Sequence, residues 1–303
     1  MQALQRGVID LIKACLTQEK AYLGTDFDWA AAYQIGRSHD ILPMLYYGIV
    51  QSEIQIPAEL RDALRLETIK SAMLDQNQSR EVEGIERSFQ AEGIDYLLLK
   101  GAVMKQRYLH AEVRTMGDAD ILIREGQYER IRPILQELGF TEILESDHEL
   151  IWDKPGRLHL ELHKRPIPSY NKDFYAYYGD GWSLAHRTDS SRHEMRDEDE
   201  FIYLFTHYAK HYRDGGVGIR QVADLYVYTR TNLTRTPSRG QRKNIKFFWS
   251  AAMHCWPFFM RPETAGAFPL ASRRPNCAAL SGWVLSTIGP VDKIAKSLAT
   301  MIE

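Results

Sequence analysis

Residues 157 to 163 read Arg-Leu-His-Leu-Glu-Leu-His, and the alternation is strict. Leu158, Leu160 and Leu162 fall on one side of a two-residue period; His159, Glu161 and His163 fall on the other. Successive side chains of a strand point to opposite faces, so this segment reads as a strand with one leucine face and one polar face. A leucine face must be buried against another layer, and the chain therefore needs a sheet with helices packed on it.

The neighbouring segments supply that sheet. Asp95 to Lys100 is a short apolar run behind Gly93 and predicts a buried strand. Gly101 then opens a helix expected to run to about His110. Asp118-Ala-Asp-Ile-Leu-Ile123 predicts a second strand, and Gln127 to Leu138 a helix stopped by Gly139, with Pro133 kinking it or marking its true start. Phe140 to Leu144 and Glu149 to Trp152 predict a hairpin. The fold class is α+β: a small mixed sheet at about 91–165, flanked by helical regions on both sides.

Residues 1–90 read as helical. Leu4, Val8, Leu11, Ile12 and Cys15 form one helical stripe, and further helices are expected at Trp29 to Gly36, Pro43 to Val50 and Ala58 to Phe89. The region 166–303 is mainly helical too, with an irregular aromatic loop from Tyr170 to Trp182 and helices at Asp197 to Tyr212 and Ile219 to Tyr228. From Thr234 to Leu285 the texture is lost, and an amphipathic helix resumes from Val291 to Met301. The change marks a divergent segment or an altered reading frame.

Thirty-eight basic and 40 acidic residues leave a formal net charge of -2 over 303 residues, which argues against nucleic acid or a membrane surface as the main partner. Cys15, Cys255 and Cys277 give no disulfide framework, so a reducing cytoplasm is expected. The first helix carries Asp10 and Lys13 within its apolar stretch, unlike a signal peptide. The apolar run from Phe247 to Met260 is too short to span a bilayer and contains His254 and Pro257.

The chemistry centres on Lys100-Gly101 and on Arg114-Thr-Met-Gly-Asp118-Ala-Asp120. Two residues apart on a strand, Asp118 and Asp120 present carboxylates on one face. Such a pair repels unless a cation neutralises it, and Mg²⁺ (or Mn²⁺) prefers oxygen ligands of this kind. Glu161, on the polar face of its own strand, is the candidate third acid of a metal site. The corner at Lys100-Gly101 suits an anion: backbone N–H groups at a helix start, a glycine for close approach, and Lys100 and Arg114 as cationic partners.

The run LLLKGAVMKQRYLHAEVRTMGDADILI, with LHLELH and HYAKHYRDGGVGIRQVADL further on, resembles the bacterial nucleotidyltransferase family within the DNA polymerase β-like nucleotidyltransferase superfamily. The resemblance covers residues 1–230, with its specific motifs in 97–225. It implies a mixed sheet flanked by helices, a divalent metal, and transfer of a nucleoside monophosphate from an NTP to an unnamed acceptor hydroxyl. Asp118 and Asp120 match the family's metal aspartates and Glu161 its third acid. Lys100 and Gly101 stand where many relatives carry Gly-Ser.

Two other readings compete. A nucleotide-binding module without catalysis would keep the same fold. A zinc-dependent hydrolase could use His159 and His163, two histidines on one strand face. His207, Lys210, Arg220 and Asp224, in the last block, either join the helices to the sheet or shape the nucleotide cleft. Because three gathered acids repel, Asp120→Asn is expected to leave stability equal or slightly improved.

Overall fold

The computed structural model describes residues 2–214 and 218–232. The expected break at Thr234 to Leu285, the helix at Val291 to Met301, the run from Phe247 to Met260, Cys255 and Cys277 lie outside the described residues, as does the side chain of Lys210.

Four helices come first: α1 (Gln2–Thr17), α2 (Trp29–Ser38), α3 (Leu42–Ser52) and α4 (Ala58–Ala91). Asp28 starts α2 by accepting the Ala31 N–H at 2.9 Å. Pro43 occupies the first turn of α3, where its missing N–H costs nothing. The α1 stripe of Val8, Leu11, Ile12 and Cys15 is buried in one core with Met44, Leu45 and Ile49 of α3. Gly48 permits that approach, since a Cβ there would stand 2.1 Å from the Leu11 carbonyl oxygen. α4 has 34 residues, about 51 Å of helix at 1.5 Å per residue. It reaches from the helical core at Leu64 to the sheet core at Val82, Ile85 and Phe89.

The remaining elements are β1 (Tyr96–Leu99), α5 (Lys100–Met104), β2 (Asp118–Ile123), α6 (Tyr128–Glu137), β3 (Thr141–Glu145), β4 (Glu149–Lys154), β5 (Leu158–His163), α7 (Lys172–Tyr178), β6 (Ala185–Arg187), β7 (Arg192–Met195), α8 (Asp197–Asp214) and α9 (Ile219–Asn232). The seven strands form one sheet in the order β3-β4-β5-β2-β1-β7-β6. β2 with β5 and β1 with β7 pair parallel, and the other neighbours antiparallel, so the sheet is mixed.

One sheet face is the expected leucine face. Leu158, Leu160 and Leu162 share a core with Leu98, Ile121, Ile123, Leu150 and Trp152, and with Ile131 and Leu135 of α6. Each fully buried leucine contributes roughly 1.5–3 kcal/mol. On the opposite face the apolar side chains Leu97, Leu99 and Leu122 pack with Tyr178 of α7 and Tyr203 of α8. The helices of α8 and α9 also enter the core of α1–α3 through Leu204, Val222, Ala223 and Leu225. The sheet is thus flanked by N- and C-terminal helices that share a core.

Three expectations needed correction. The helix opened at Gly101 does not reach His110: α5 ends at Met104, and Lys105–Arg107 is a 3-10 turn. The stretch Tyr170 to Trp182 is not wholly irregular, because Lys172–Tyr178 forms α7 and buries Tyr178. Two short strands, β6 and β7, extend the sheet past residue 165. With three and four residues they are too short to show a period, and pairing with β1 is what makes β7 a strand.

Candidate active site

The parallel pairing of β2 and β5 sets Asp118 opposite His159, Asp120 opposite Glu161 and Leu122 opposite His163. Register therefore carries the β5 polar face to the side of the sheet that bears both aspartates. Asp120 is only 1% exposed. Its Oδ1 receives Lys100 Nζ at 2.6 Å and His163 Nε2 at 2.7 Å. His163 Nε2 also stands 3.5 Å from Glu161 Oε2. Asp120, Glu161 and His163 each offer a ligand atom within 4.8 Å of the others'. Asp118 lies one pleat along on the same face, partly buried, and outside that tight group.

The electrostatics separate the two aspartates. Burial alone would raise the Asp120 carboxyl, but the Lys100 charge and the His163 hydrogen bond overcome it and hold it well below the usual carboxylate range. Asp118 is raised, first by burial and then by the charges of Asp120 and Glu161. Glu161 is lowered, chiefly by its hydrogen bond with His163. Burial pulls His163 down, yet its hydrogen bonds with Asp120 and Glu161 leave it raised.

Lys100 follows directly on β1, whose last residue, Leu99, pairs with Asp120. Its φ of 43° lies in the left-handed region, which costs a non-glycine residue about 1–3 kcal/mol and persists only where the surroundings enforce it. Here the enforcement is the ion pair with Asp120 and the short helix behind. Gly101 is buried, and a Cβ on it would come within 3.1 Å of Arg114 Nη1 and Met116 Cγ. The space above the glycine is therefore filled by protein side chains. α5 is five residues long, so its dipole is weak.

Arg114 makes a two-pronged pair with Asp224 of α9, Nε to Oδ1 at 3.0 Å and Nη2 to Oδ2 at 2.8 Å. Tyr108 donates to the same Oδ1 at 2.8 Å. Arg220 donates to Thr115 Oγ1 at 2.8 Å. Arg220 and Asp224 thus tie α9 to the loop that leads into β2. His207 lies next to His211, Nε2 to Nε2 at 2.8 Å, one turn apart on α8.

His159 is more exposed, pairs with Asp153 at 3.6 Å, and joins no ligand-spaced group among the described residues. It sits four residues from His163, about 13 Å along a strand, so the two histidines cannot share one ion. Sequence reasoning missed Tyr203, a fully buried residue whose hydroxyl has no hydrogen-bond partner and is pushed up chiefly by burial, with the charges of Lys100 and Asp120 nearby. It also missed His148 and Glu149 beside His163. The strict alternation had already put His163 on the polar face, but no local signal pointed to its partners.

The candidate site is thus a parallel strand pair that sets Asp120 beside Glu161, with Asp118 one pleat away and the Lys100-Gly101 corner just past β1. The chain belongs to the family described as uncharacterised nucleotidyltransferase, which matches residues 25–250. No curated protein matches it. Two solved structures are similar. The solution structure of the antibiotic-resistance factor ANT(2'')-Ia is 11% identical with a TM-score of 0.40, covering 59% of this chain and 97% of that one. The crystal structure of ANT(2'')-Ia in complex with adenylyl-2''-tobramycin is 11% identical with a TM-score of 0.38, covering 58% and 98%. Among the described residues no helix is long and apolar enough to cross a membrane.

Proposed function

We propose that this chain catalyses divalent-metal-dependent transfer of a nucleoside monophosphate from an NTP to an acceptor hydroxyl, with Asp118, Asp120 and Glu161 as the acidic set. The observation that carries the reading is the register of β2 against β5, which pairs Asp120 with Glu161. The donors are all carboxylate oxygens, the chemistry that suits Mg²⁺ or Mn²⁺. Both close contacts on Asp120 fall on Oδ1, leaving Oδ2 to a further cation. Bound there, the metal would neutralise charge on the triphosphate.

The protein's own groups have separate tasks. The acceptor oxygen attacks the α-phosphorus, the bond to the β-phosphate oxygen breaks, and pyrophosphate leaves with the electron pair. Glu161, held ionised by His163, takes the acceptor proton. Lys100 is the phosphate-facing cation; Gly101 and Arg114 shape the corner that holds it. An odd cysteine count, with Cys15 free and buried, supports a cytoplasmic setting.

One observation favours a second reading. Lys100 Nζ already sits on Asp120, as a built-in cation would in a nucleotide-binding module that has given up catalysis. An NTP panel with Mg²⁺ or Mn²⁺, scored for both thermal shift and pyrophosphate release, separates the two. Release with one or more NTPs supports transfer. A thermal shift without release favours the silent module, and neither signal with any NTP removes both readings.

A further inference from the structure

His163 has a second ring nitrogen that transfer chemistry does not use. The residue is 3% exposed, and its Nδ1 has no hydrogen-bond partner. Nδ1 faces Glu149 Oε2 at 3.7 Å, on the strand directly across from it, because Glu149 and His163 are register partners in β4 and β5. His148, at the turn that leads into β4, brings Nε2 to 3.7 Å from the same Oε2. His148, Glu149 and His163 each offer one ligand atom, all within 4.8 Å of one another. Zinc bonds of about 2.0–2.1 Å in a tetrahedron put ligand atoms about 3.3 Å apart, so the two edges to Glu149 need to contract by a few tenths of an ångström, and the histidine–histidine edge, within 4.8 Å, closes as the His148 side chain turns inward.

We propose that His148, Glu149 and His163 form a binding site for Zn²⁺ or a similar transition-metal ion, separate from the acidic set and independent of the nucleotidyl-transfer reading. Two imidazole nitrogens and one carboxylate suit such an ion, whereas Mg²⁺ favours oxygen donors. The other side of His163 completes the arrangement. Nε2 lies 2.7 Å from Asp120 Oδ1, and metal-bound histidines commonly donate their second N–H to a carboxylate, which fixes tautomer and ring orientation. The ion would pin the turn before β4 to the end of β5 and hold His163 with its N–H aimed at Asp120. Three ligands leave a fourth position for water.

The test uses full-length, tag-free protein stripped by chelator and titrated with Zn²⁺ in a background of excess Mg²⁺, by equilibrium dialysis and elemental analysis. One equivalent of zinc is expected, with a tetrahedral absorption band when Co²⁺ is substituted. His148→Ala, at a partly exposed turn, should weaken zinc binding by at least ~10-fold without changing the melting temperature of the metal-free protein. Glu149→Gln should weaken it as well, and Asp118→Asn should leave it unchanged. No zinc on the wild type, undiminished binding in His148→Ala, or loss of binding in Asp118→Asn with retention in His148→Ala would each overturn the assignment. Zinc content is read without turnover, so a failure of nucleotidyl transfer does not alter these outcomes.

Discussion

Lys100, the first residue of α5, and Asp120 of β2 meet as a buried ion pair, Nζ to Oδ1 at 2.6 Å. The pair changes what the two aspartates mean. Repulsion in the acidic cluster is already relieved at Asp120 by Lys100 and His163 and at Glu161 by His163, and what remains unbalanced is Asp118.

The sequence alone led to the expectation that Asp120→Asn would be neutral or stabilising, and this pair reverses it. Asparagine would leave a largely buried ammonium without its partner, which typically costs about 3–5 kcal/mol. Urea denaturation without metal should show a loss of that order, together with loss of pyrophosphate release. An Asn variant as stable as the wild type would refute the structural role given to the pair.

Lys100→Ala removes the other half. Alanine leaves the buried Asp120 without its cation and does nothing to relieve the left-handed backbone at this position, so the fold should be weakened while Asp120 gains an open side. Mg²⁺ should then raise the melting temperature of the variant more than that of the wild type, by the linkage of binding to stability, and NTP affinity should fall. Equal Mg²⁺ shifts with unchanged NTP affinity would take Lys100 out of the site.

Arg114 is engaged by Asp224 on two atoms. Asp224→Ala should destabilise by about 3–5 kcal/mol, because a buried guanidinium loses its counter-charge. Arg114→Lys cannot reproduce the fork and should also lose stability, yet NTP affinity of the folded fraction should hold. A selective drop in NTP affinity with stability intact would return Arg114 to direct phosphate contact.

Burial, with a smaller effect of the Glu112 charge, pushes the Cys15 thiol up from 9.0 to about 12. Each unit lowers the thiolate fraction about tenfold, so native Cys15 should resist iodoacetamide at pH 8 and react once the chain unfolds. The folded state holds this proton more tightly than the unfolded one. Its contribution to stability is therefore complete below pH 9 and lost as pH rises towards about 12. Peptide-resolved alkylation checks the first point, and rapid labelling of folded protein would contradict it.

Much was legible in contiguous residues. The period of two in β5, the Asp-x-Asp spacing on β2, the stripe on α1 and the stops at Gly93 and Gly139 each depend on side-chain geometry within one element, so they survive without tertiary context. The fold class and the face that carries the acids follow from them. What charge meets what charge does not. Lys100 reaches Asp120 from 20 positions away, His163 from 43, and Asp224 reaches Arg114 from 110. Those meetings are set by the parallel register of β2 and β5 and by α9 packing against the loop before β2, both long-range arrangements that no local period encodes. For the same reason β7 became a strand only by pairing with β1, and β6 only by pairing with β7. The sequence by itself determined the strand faces on which Asp118, Asp120, Glu161 and His163 stand, and the tertiary structure decided which charged groups meet there, because register and helix packing join residues far apart in the chain.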